Sequence, residues 1–208
     1  MKQFKLGLVI NPIAGIGGSV ALKGSDGAGI AEQAIALGAT AKSNARASLA
    51  LEILLPYKDN ITIYTVSGEM GENTAKSLGF ITEVVYQAEN KVTTERDTEQ
   101  AVTTLINNDI DLLLFAGGDG TARNVCHIVN DKFPVLGIPA GCKIHSGVYA
   151  ITPKAAGRVV ELMITNQLVS LTDADVMDID ESLFREGIVK AKRFGEMRVP
   201  SELRYIQA

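Results

Sequence analysis

The chain has 208 residues, enough for one sizeable hydrophobic core or for one domain and part of a second. Hydrophobic residues make up 46% of it and charged residues 21%, the composition of a soluble globular protein. The net charge of −4 and the aromatic content of 5%, without tryptophan, argue against a nucleic-acid-binding face, which requires clustered basic residues or stacking platforms.

The N-terminus and the cysteine content indicate a cytoplasmic protein. The apolar run before Asn11 is too short and interrupted for a signal peptide. No stretch has the roughly 18 apolar residues that membrane insertion requires. Cys126 and Cys142 are the only cysteines, so the sequence contains no disulfide framework. We therefore expect reduced thiols, a cytoplasmic location and no membrane insertion.

Short apolar runs alternate with segments of helical period, which predicts βαβ units. The first strand is predicted at 4–10, and the stretch 15–29 that follows has too many glycines for a stable helix. The next segments predict helices and strands in alternation: a helix at 43–55 ending at Pro56, a strand at 61–66, a helix at 69–78 closed by Gly79, a strand at 83–87 and a helix at 97–107.

The clearest strand is 111–116, whose continuous apolar run predicts an interior, parallel strand buried on both faces. Helices at 125–129 and 153–164 flank another buried strand at 134–138, and we expect the two strands to be neighbours. After residue 168 two strand-like segments, 169–179 and 187–199, have no helix between them. The sequence thus predicts a Rossmann-like α/β domain at 1–168, an open parallel-centred sheet with flanking helices. We expect 169–208 to be the start of an incomplete β-rich C-terminal domain.

Gly117-Gly118-Asp119-Gly120-Thr121 joins the buried strand to a helix. Glycines let the backbone turn tightly and let a ligand approach it without a Cβ in the way. The start of the helix offers unpaired N–H groups and partial positive charge to a phosphate. Ligands of open α/β sheets lie beyond the carboxyl ends of the strands, where this motif falls. The motif therefore predicts a nucleotide-phosphate site; a strand-to-helix turn without a ligand is the structural alternative.

Two common nucleotide-binding patterns are absent. The Walker pattern requires Gly-Lys followed by Ser or Thr, whereas the chain has only the reversed order Lys23-Gly24-Ser25. The dinucleotide pattern Gly-x-Gly-x-x-Gly would begin at Gly15 but has Val20 at its last position. The glycine motif therefore belongs to another class of nucleotide site.

The sequence resembles the NAD kinase and diacylglycerol kinase superfamily. The resemblance rests on Gly117-Gly118-Asp119-Gly120-Thr121, on Asn11-Pro12-Ile13-Ala14-Gly15 after the first strand, and on Gly137-Ile138-Pro139-Ala140-Gly141 after the strand at 134–138. Segments 11–18, 22–27 and 176–181 are also similar to a bacterial subgroup of predicted ATP- or polyphosphate-dependent NAD kinases. The resemblance covers essentially the whole chain.

This resemblance implies phosphoryl transfer from ATP or polyphosphate, with Mg²⁺, to the adenosine ribose hydroxyl of NAD, which gives NADP. It implies that Asp119 is the general base or a metal-linked carboxylate; a helix-capping acid is the structural alternative. We expect Lys23, with Asp26, to form either a lid over the phosphates or a solvated loop, and Lys143 and Ser146 to contact the substrate. The remaining predicted nucleotide contacts are Asn11, Gly15, Gly117, Gly118, Gly120, Thr121 and Gly141.

The chain departs from NAD kinases at two places. It has no Asn-Glu dipeptide, the pair that holds the nucleotide ribose in those enzymes, and residues 142–146 differ from their Gly-Leu-Gly-Phe run. Two alternatives therefore stand beside an NAD kinase. One is a lipid or polyol kinase of the diacylglycerol type, which would share the glycine motif, and the other is a non-catalytic nucleotide-binding protein.

Three other clusters have simpler explanations. Cys126, His127, Cys142 and His145 suggest zinc, but adjacent helical residues point about 100° apart, so Cys126 and His127 cannot easily share one ion. The acidic residues at 173–181 are expected to form a solvated strand edge or linker rather than a cation site. The basic residues at 190–204 predict an exposed strand face or, second, a subunit contact, and we expect a homo-oligomer.

Overall fold

The computed structural model describes residues 3–16, 33, 36–37, 40–88, 93–129, 133–141, 144–168, 170–179, 190–202 and 204–207. The described strands are β1 (Phe4–Ile10), β2 (Ile61–Val66), β3 (Ile81–Tyr86), β4 (Leu112–Gly117), β5 (Val135–Pro139), β6 (Leu171–Ile179) and β7 (Ala191–Pro200). The described α-helices are α1 (Ser43–Glu52), α2 (Glu72–Ser77), α3 (Glu95–Ile106), α4 (Asp119–Ile128) and α5 (Pro153–Ile164). The described 3₁₀ helices span Leu55–Asn60 and Gly68–Met70.

The first five strands form one parallel sheet in the order β3-β2-β1-β4-β5. Every residue of β4 and β5 is buried, which agrees with their uninterrupted apolar sequences. Leu113 pairs with Val135 and Gly117 with Pro139, so the strands predicted to end at 116 and 138 are neighbours. The predicted α/β sheet is therefore confirmed, and the carboxyl ends of β1, β4 and β5 lie side by side.

Helices cover the sheet in pairs, because their apolar stripes have to be buried. Helix α3 packs on α4, and α1 packs on α5. A Cβ on Gly157 of α5 would collide with the carbonyl oxygen of Ala50 in α1, so glycine permits this close helix contact. Within the described residues, no helix is both long and apolar enough to cross a membrane.

Two predicted helices differ most from the structure in their bounds, and the one predicted at 69–78 is divided into the 3₁₀ helix Gly68–Met70 and α2. The helix predicted at 43–55 ends at Glu52. Pro56 lies in the first turn of the 3₁₀ helix that follows, where a backbone N–H has no acceptor within the helix and proline is therefore tolerated. The helix predicted at 125–129 starts much earlier, at Asp119. Glycine lowers helix propensity, which hid this start from the sequence pattern. The connection between β4 and α4 is therefore the single residue Gly118.

Strands β6 and β7 form a separate antiparallel pair that packs against α4 and β5. They correspond to the segments predicted at 169–179 and 187–199; residues 180–189 lie outside the described part. The domain boundary near 168 stays a prediction. For the site, the important contact is that of β6 with α4.

Candidate active site

The glycine-containing segments after β4 and β5 touch each other through their backbones. The carbonyl oxygen of Gly117 accepts hydrogen bonds from the N–H groups of Ala140 and Gly141, at 2.8 and 3.0 Å. A Cβ built on Gly141 would lie 2.8 Å from the Cα of Gly118, closer than side-chain carbons are found to backbone. The structure thus brings together Gly117, Gly118 and Gly141, and this contact tolerates no side chain.

The first turn of α4 has backbone N–H groups that are not used within the helix. Its N-cap is Gly118, which provides no side-chain acceptor. The N–H groups of Asp119, Gly120 and Thr121 precede the first intrahelical bond, which Ala122 donates to the Gly118 carbonyl. These groups, with the helix dipole, are a physical basis for phosphate binding at Gly120 and Thr121.

Asn11 lies at the same edge, directly after β1. Its Nδ2 donates to Thr121 Oγ1 at 3.1 Å, and its Oδ1 accepts from the N–H of Ile13 at 3.2 Å. Gly15 follows in the same turn with φ of 71°, a left-handed conformation that favours glycine. The side chain of Asn11 therefore joins the turn after β1 to the first turn of α4. Lys23 and Lys143, two further predicted contacts, lie outside the described residues.

The carboxylate of Asp119 accepts four hydrogen bonds from two consecutive residues. Oδ2 accepts from the N–H of His145 at 2.8 Å and lies 2.9 Å from His145 Nδ1. Oδ1 accepts from the N–H of Ser146 at 3.0 Å and from Ser146 Oγ at 2.7 Å. Asp119 is only 7% exposed. It is not the cap of α4, because Gly118 is the N-cap and these bonds tie the helix to the 145–146 segment.

Ser146 is buried and connects three elements. Its Oγ lies 2.7 Å from Asp119 Oδ1 and 2.9 Å from the carbonyl oxygen of Met177, and it accepts from the N–H of Met177 at 2.9 Å. Its exposure is 0%. The hydroxyl thus bonds to α4 and β6, and its predicted contact with substrate stays a prediction. Ser146 fixes the position of Asp119.

Tyr149 supports the glycine turn and was not singled out from the sequence. Its hydroxyl donates to the carbonyl oxygen of Gly118 at 2.6 Å, and its ring fills the space that a Cβ on Gly137 would need. Burial raises the pKa of Tyr149 well above its ordinary value, and the charges of Asp119 and Asp178 raise it further. The hydroxyl therefore stays a donor at neutral pH. No local pattern distinguishes this residue from an ordinary core tyrosine.

His145 is the other residue of the site whose role the sequence analysis missed, since it considered His145 only as a zinc ligand. Its side chain is 39% exposed, whereas that of Asp119 is 6% exposed. On its outer side is a cavity of about 430 Å³ between β6, β7 and the C-terminal segment. The only sequence signal was a histidine beside Ser146 in the segment after β5.

Acidic residues line this cavity, but each has an arginine partner. Asp175 and Glu196 both bind Arg193, at 2.6 and 2.7 Å. Asp173 lies beside Arg198, and Glu202 beside Arg204, which lowers the pKa of Glu202 to about 2. Within the described part of β6, β7 and the C-terminal segment these acidic residues are thus paired with arginines and do not indicate a cation site, whereas Asp180 and Glu181 lie outside the described residues.

The hydrogen bond from Tyr149 gives a stability prediction. Tyr149→Phe should lower the free energy of unfolding by about 0.5–1.5 kcal/mol, because the carbonyl of Gly118 loses one of its two donors and keeps the N–H of Ala122. Tyr57→Phe is the matched control: the hydroxyl of Tyr57 donates at 3.3 Å to Glu161, whose side chain is 21% exposed and can bind water instead. Urea unfolding of both variants tests this, and equal losses would contradict the assigned role of Tyr149.

The comparison with protein families agrees with this geometry. A family model described as the ATP-NAD kinase N-terminal domain matches residues 6–168, well over half of the chain, from β1 to the end of α5. The comparison with curated proteins found no match. The superfamily inferred from the glycine motifs is thereby confirmed, while the bacterial subgroup stays a prediction. The chain belongs to the ATP-NAD kinase family, whose N-terminal domain it contains.

Proposed function

We propose that the chain transfers a phosphoryl group from ATP or polyphosphate to the adenosine ribose hydroxyl of NAD, which gives NADP. Membership of the family makes it a kinase. The observation that carries the proposal is a juxtaposition at one sheet edge. The first turn of α4, the side-chain-free contact of Gly118 with Gly141, and the Asp119 carboxylate adjoin one another in space. Phosphoryl transfer requires such positioning and charge stabilisation more than covalent chemistry.

The donor phosphates are assigned to the backbone of the glycine segments. The N–H groups of Gly120 and Thr121 would bind phosphate oxygens, and Gly117, Gly118 and Gly141 let the turns after β4 and β5 pack closely enough to form the site. Asn11 would close the opposite side through Thr121. Arg46 of α1 adds a positive charge, since its Nη1 donates to the carbonyl of Pro139 at 2.8 Å. Gly15, Lys23 and Lys143 remain proposed contacts to nucleotide or phosphate.

Asp119 is the carboxylate to which we assign activation of the acceptor hydroxyl. Each of its oxygens already accepts two hydrogen bonds, and three of the four donors belong to backbone or to the buried Ser146. The exposed donor is the imidazole of His145. The acceptor hydroxyl therefore reaches Asp119 either after displacing that imidazole or by way of it.

The described carboxylates near α4 do not fit a protein-held magnesium ion. Magnesium binds carboxylate oxygens that are available for coordination. The oxygens of Asp119 are taken up by four donors, and Asp178 Oδ2 lies 3.1 Å from Arg123 Nη1. We therefore propose that magnesium enters on the phosphates of the donor.

An acceptor panel tests this function against its rivals. The chain is incubated with ATP or polyphosphate and, in separate reactions, with NAD, diacylglycerol and glycerol. We expect NADP as the phosphorylated product. If diacylglycerol or glycerol is phosphorylated and NAD is not, the chain is a lipid or polyol kinase and the proposed acceptor is wrong. Nucleotide binding without any product would support a non-catalytic nucleotide-binding protein, which the missing Asn-Glu pair favours.

Nucleotides should also stabilise the fold, because only the folded chain presents the first turn of α4. At about 100 times its dissociation constant, ATP or NADP should raise the free energy of unfolding by about 2.7 kcal/mol and raise the melting temperature accordingly. Adenosine, which has no phosphate, is the control and should give a smaller shift at equal concentration. The absence of a shift with every nucleotide would contradict the phosphate site.

A further inference from the structure

His145 is placed between a buried carboxylate and a cavity. Its Nδ1 is 2.9 Å from Asp119 Oδ2, and its side chain is 39% exposed beside the cavity of about 430 Å³. Among the described residues, none forms a hydrogen bond with the other ring nitrogen, Nε2. The imidazole is thus anchored at one nitrogen, and the side chain is partly exposed beside the cavity.

The hydrogen bond to Asp119 determines the tautomer of the neutral ring. An ionised carboxylate only accepts hydrogen bonds, so Nδ1 has to be the N–H donor, and Nε2 then has the free lone pair. The N–H groups of residues 145 and 146 and the Oγ of Ser146 hold the carboxylate in place. A carboxylate fixed in this way orients an imidazole as a base and stabilises the imidazolium that forms.

We propose that His145 Nε2 is the general base that removes the proton of the acceptor hydroxyl, and that Asp119 is its positioning carboxylate. This inference rests on the proposed function. Direct contact of the hydroxyl with Asp119 would require the imidazole to leave while the N–H of His145 still occupied the same oxygen. Contact through the exposed imidazole requires no bond of Asp119 to break.

The ribose hydroxyl oxygen forms a bond to the terminal phosphorus of ATP, and the bond from that phosphorus to the bridging oxygen breaks. The bond's electron pair leaves on ADP. The hydroxyl proton moves to His145 Nε2, and the imidazolium keeps its Nδ1–H bond to Asp119. Loss of the proton to solvent restores the neutral ring.

Two substitutions at His145 separate the imidazole relay from direct attack on Asp119. In His145→Asn the amide nitrogen lies close to the former Nδ1 and can still donate to Asp119, but nothing replaces Nε2. Turnover should fall about 10²–10⁴-fold, the usual contribution of general-base catalysis, with little change in ATP affinity or melting temperature. Free imidazole should restore part of the activity of His145→Ala, which a purely structural residue would not show.

The chain provides a matched control in its only other histidine, His127. That side chain is 61% exposed and lies 3.2 Å from Glu99 on the surface, so His127→Asn should keep wild-type turnover. The spectrum of His127→Asn also identifies which nitrogen-15 imidazole signals of histidine-labelled protein belong to His145, because the signals of His127 are missing from it. At alkaline pH, where imidazole is neutral, His145 should be the Nδ1–H tautomer, and Asp119→Asn should change its signals.

The outcomes are distinct. The role of His145 as general base is supported if the wild type is active, the His145→Asn variant is slow, and free imidazole restores activity to the His145→Ala variant. Active wild type with an equally fast His145→Asn or His145→Ala overturns the inference and leaves the proposed function standing. An Nε2–H tautomer in the wild type also overturns it. Wild type that forms no NADP from either donor overturns the proposed function and, with it, this role of His145.

Discussion

Asp119→Asn should lower turnover by about two to four powers of ten. The amide has the size of the carboxylate, but it has no negative charge to stabilise an imidazolium at His145. It also cannot accept a proton at neutral pH. Nucleotide affinity should change far less, because the backbone N–H groups of Gly120 and Thr121 remain. The new NH₂ group would face two N–H or O–H donors of the 145–146 segment, so we also expect a loss of about 1–3 kcal/mol in unfolding free energy.

A second aspartate separates loss of stability from loss of chemistry. Asp97 also accepts hydrogen bonds, from the N–H and Oγ of Thr94 in the capping box of α3, but it is remote in sequence and in its contacts from the glycine motif. Asp97→Asn should lower stability by roughly 1 kcal/mol and leave turnover unchanged. Turnover, ATP affinity and melting temperature are measured for both variants. Normal turnover in an Asp119→Asn protein that folds and binds ATP would refute the catalytic assignment.

Gly141→Ala should disrupt the nucleotide site and the fold together. The added Cβ would lie 2.8 Å from the Cα of Gly118, and because the opposing atom is backbone, β4 and β5 would have to separate at their ends. Overpacking of this kind costs about 1–3 kcal/mol of stability. The same displacement would move the first turn of α4, so we expect ATP affinity to fall by at least about tenfold, or 1.4 kcal/mol.

Gly147→Ala is the control for this substitution. Its Cβ would have Ala174 Cβ as the nearest atom, at 3.7 Å, which is an ordinary van der Waals contact. This variant should therefore keep the stability and ATP affinity of the wild type. Urea unfolding and calorimetric titration with ATP measure both quantities. Similar effects at the two glycines would contradict the close approach of the segments after β4 and β5.

The sheet was predictable because buried parallel strands have a strong local pattern. The continuous apolar residues of β4 and the β-branched residues of β2 indicated their positions to within one or two residues, and the βαβ rule indicated that β4 and β5 are neighbours. The start of α4 was not predictable from propensity, because its first turn contains Gly120. In this turn the connection to β4, rather than helix propensity, determines the conformation.

The candidate site was predictable only where a short motif contains it. Gly117, Gly118 and Asp119 belong to one motif, and the structure places them at the end of β4 with Gly141 in contact. The partners of Asp119 are 26 and 27 residues away, in a segment that returns to α4 after β5. The donor to the Gly118 carbonyl, Tyr149, comes from the same segment. Such contacts depend on tertiary packing, so local patterns did not reveal His145 or Tyr149, nor the bonds of Ser146 to Asp119 and Met177.

The central claim is phosphorylation of NAD at this site, and the most direct test is to identify the product. The wild-type chain and Asp119→Asn are incubated with NAD and ATP labelled in its terminal phosphate, with polyphosphate in a parallel reaction, and the dinucleotide is analysed by mass spectrometry. We predict that the wild type transfers the phosphoryl group to the adenosine ribose, giving NADP, and that Asp119→Asn is slower by two to four powers of ten. Recovery of unmodified NAD with both donors, from wild-type protein that binds ATP, would contradict the claim.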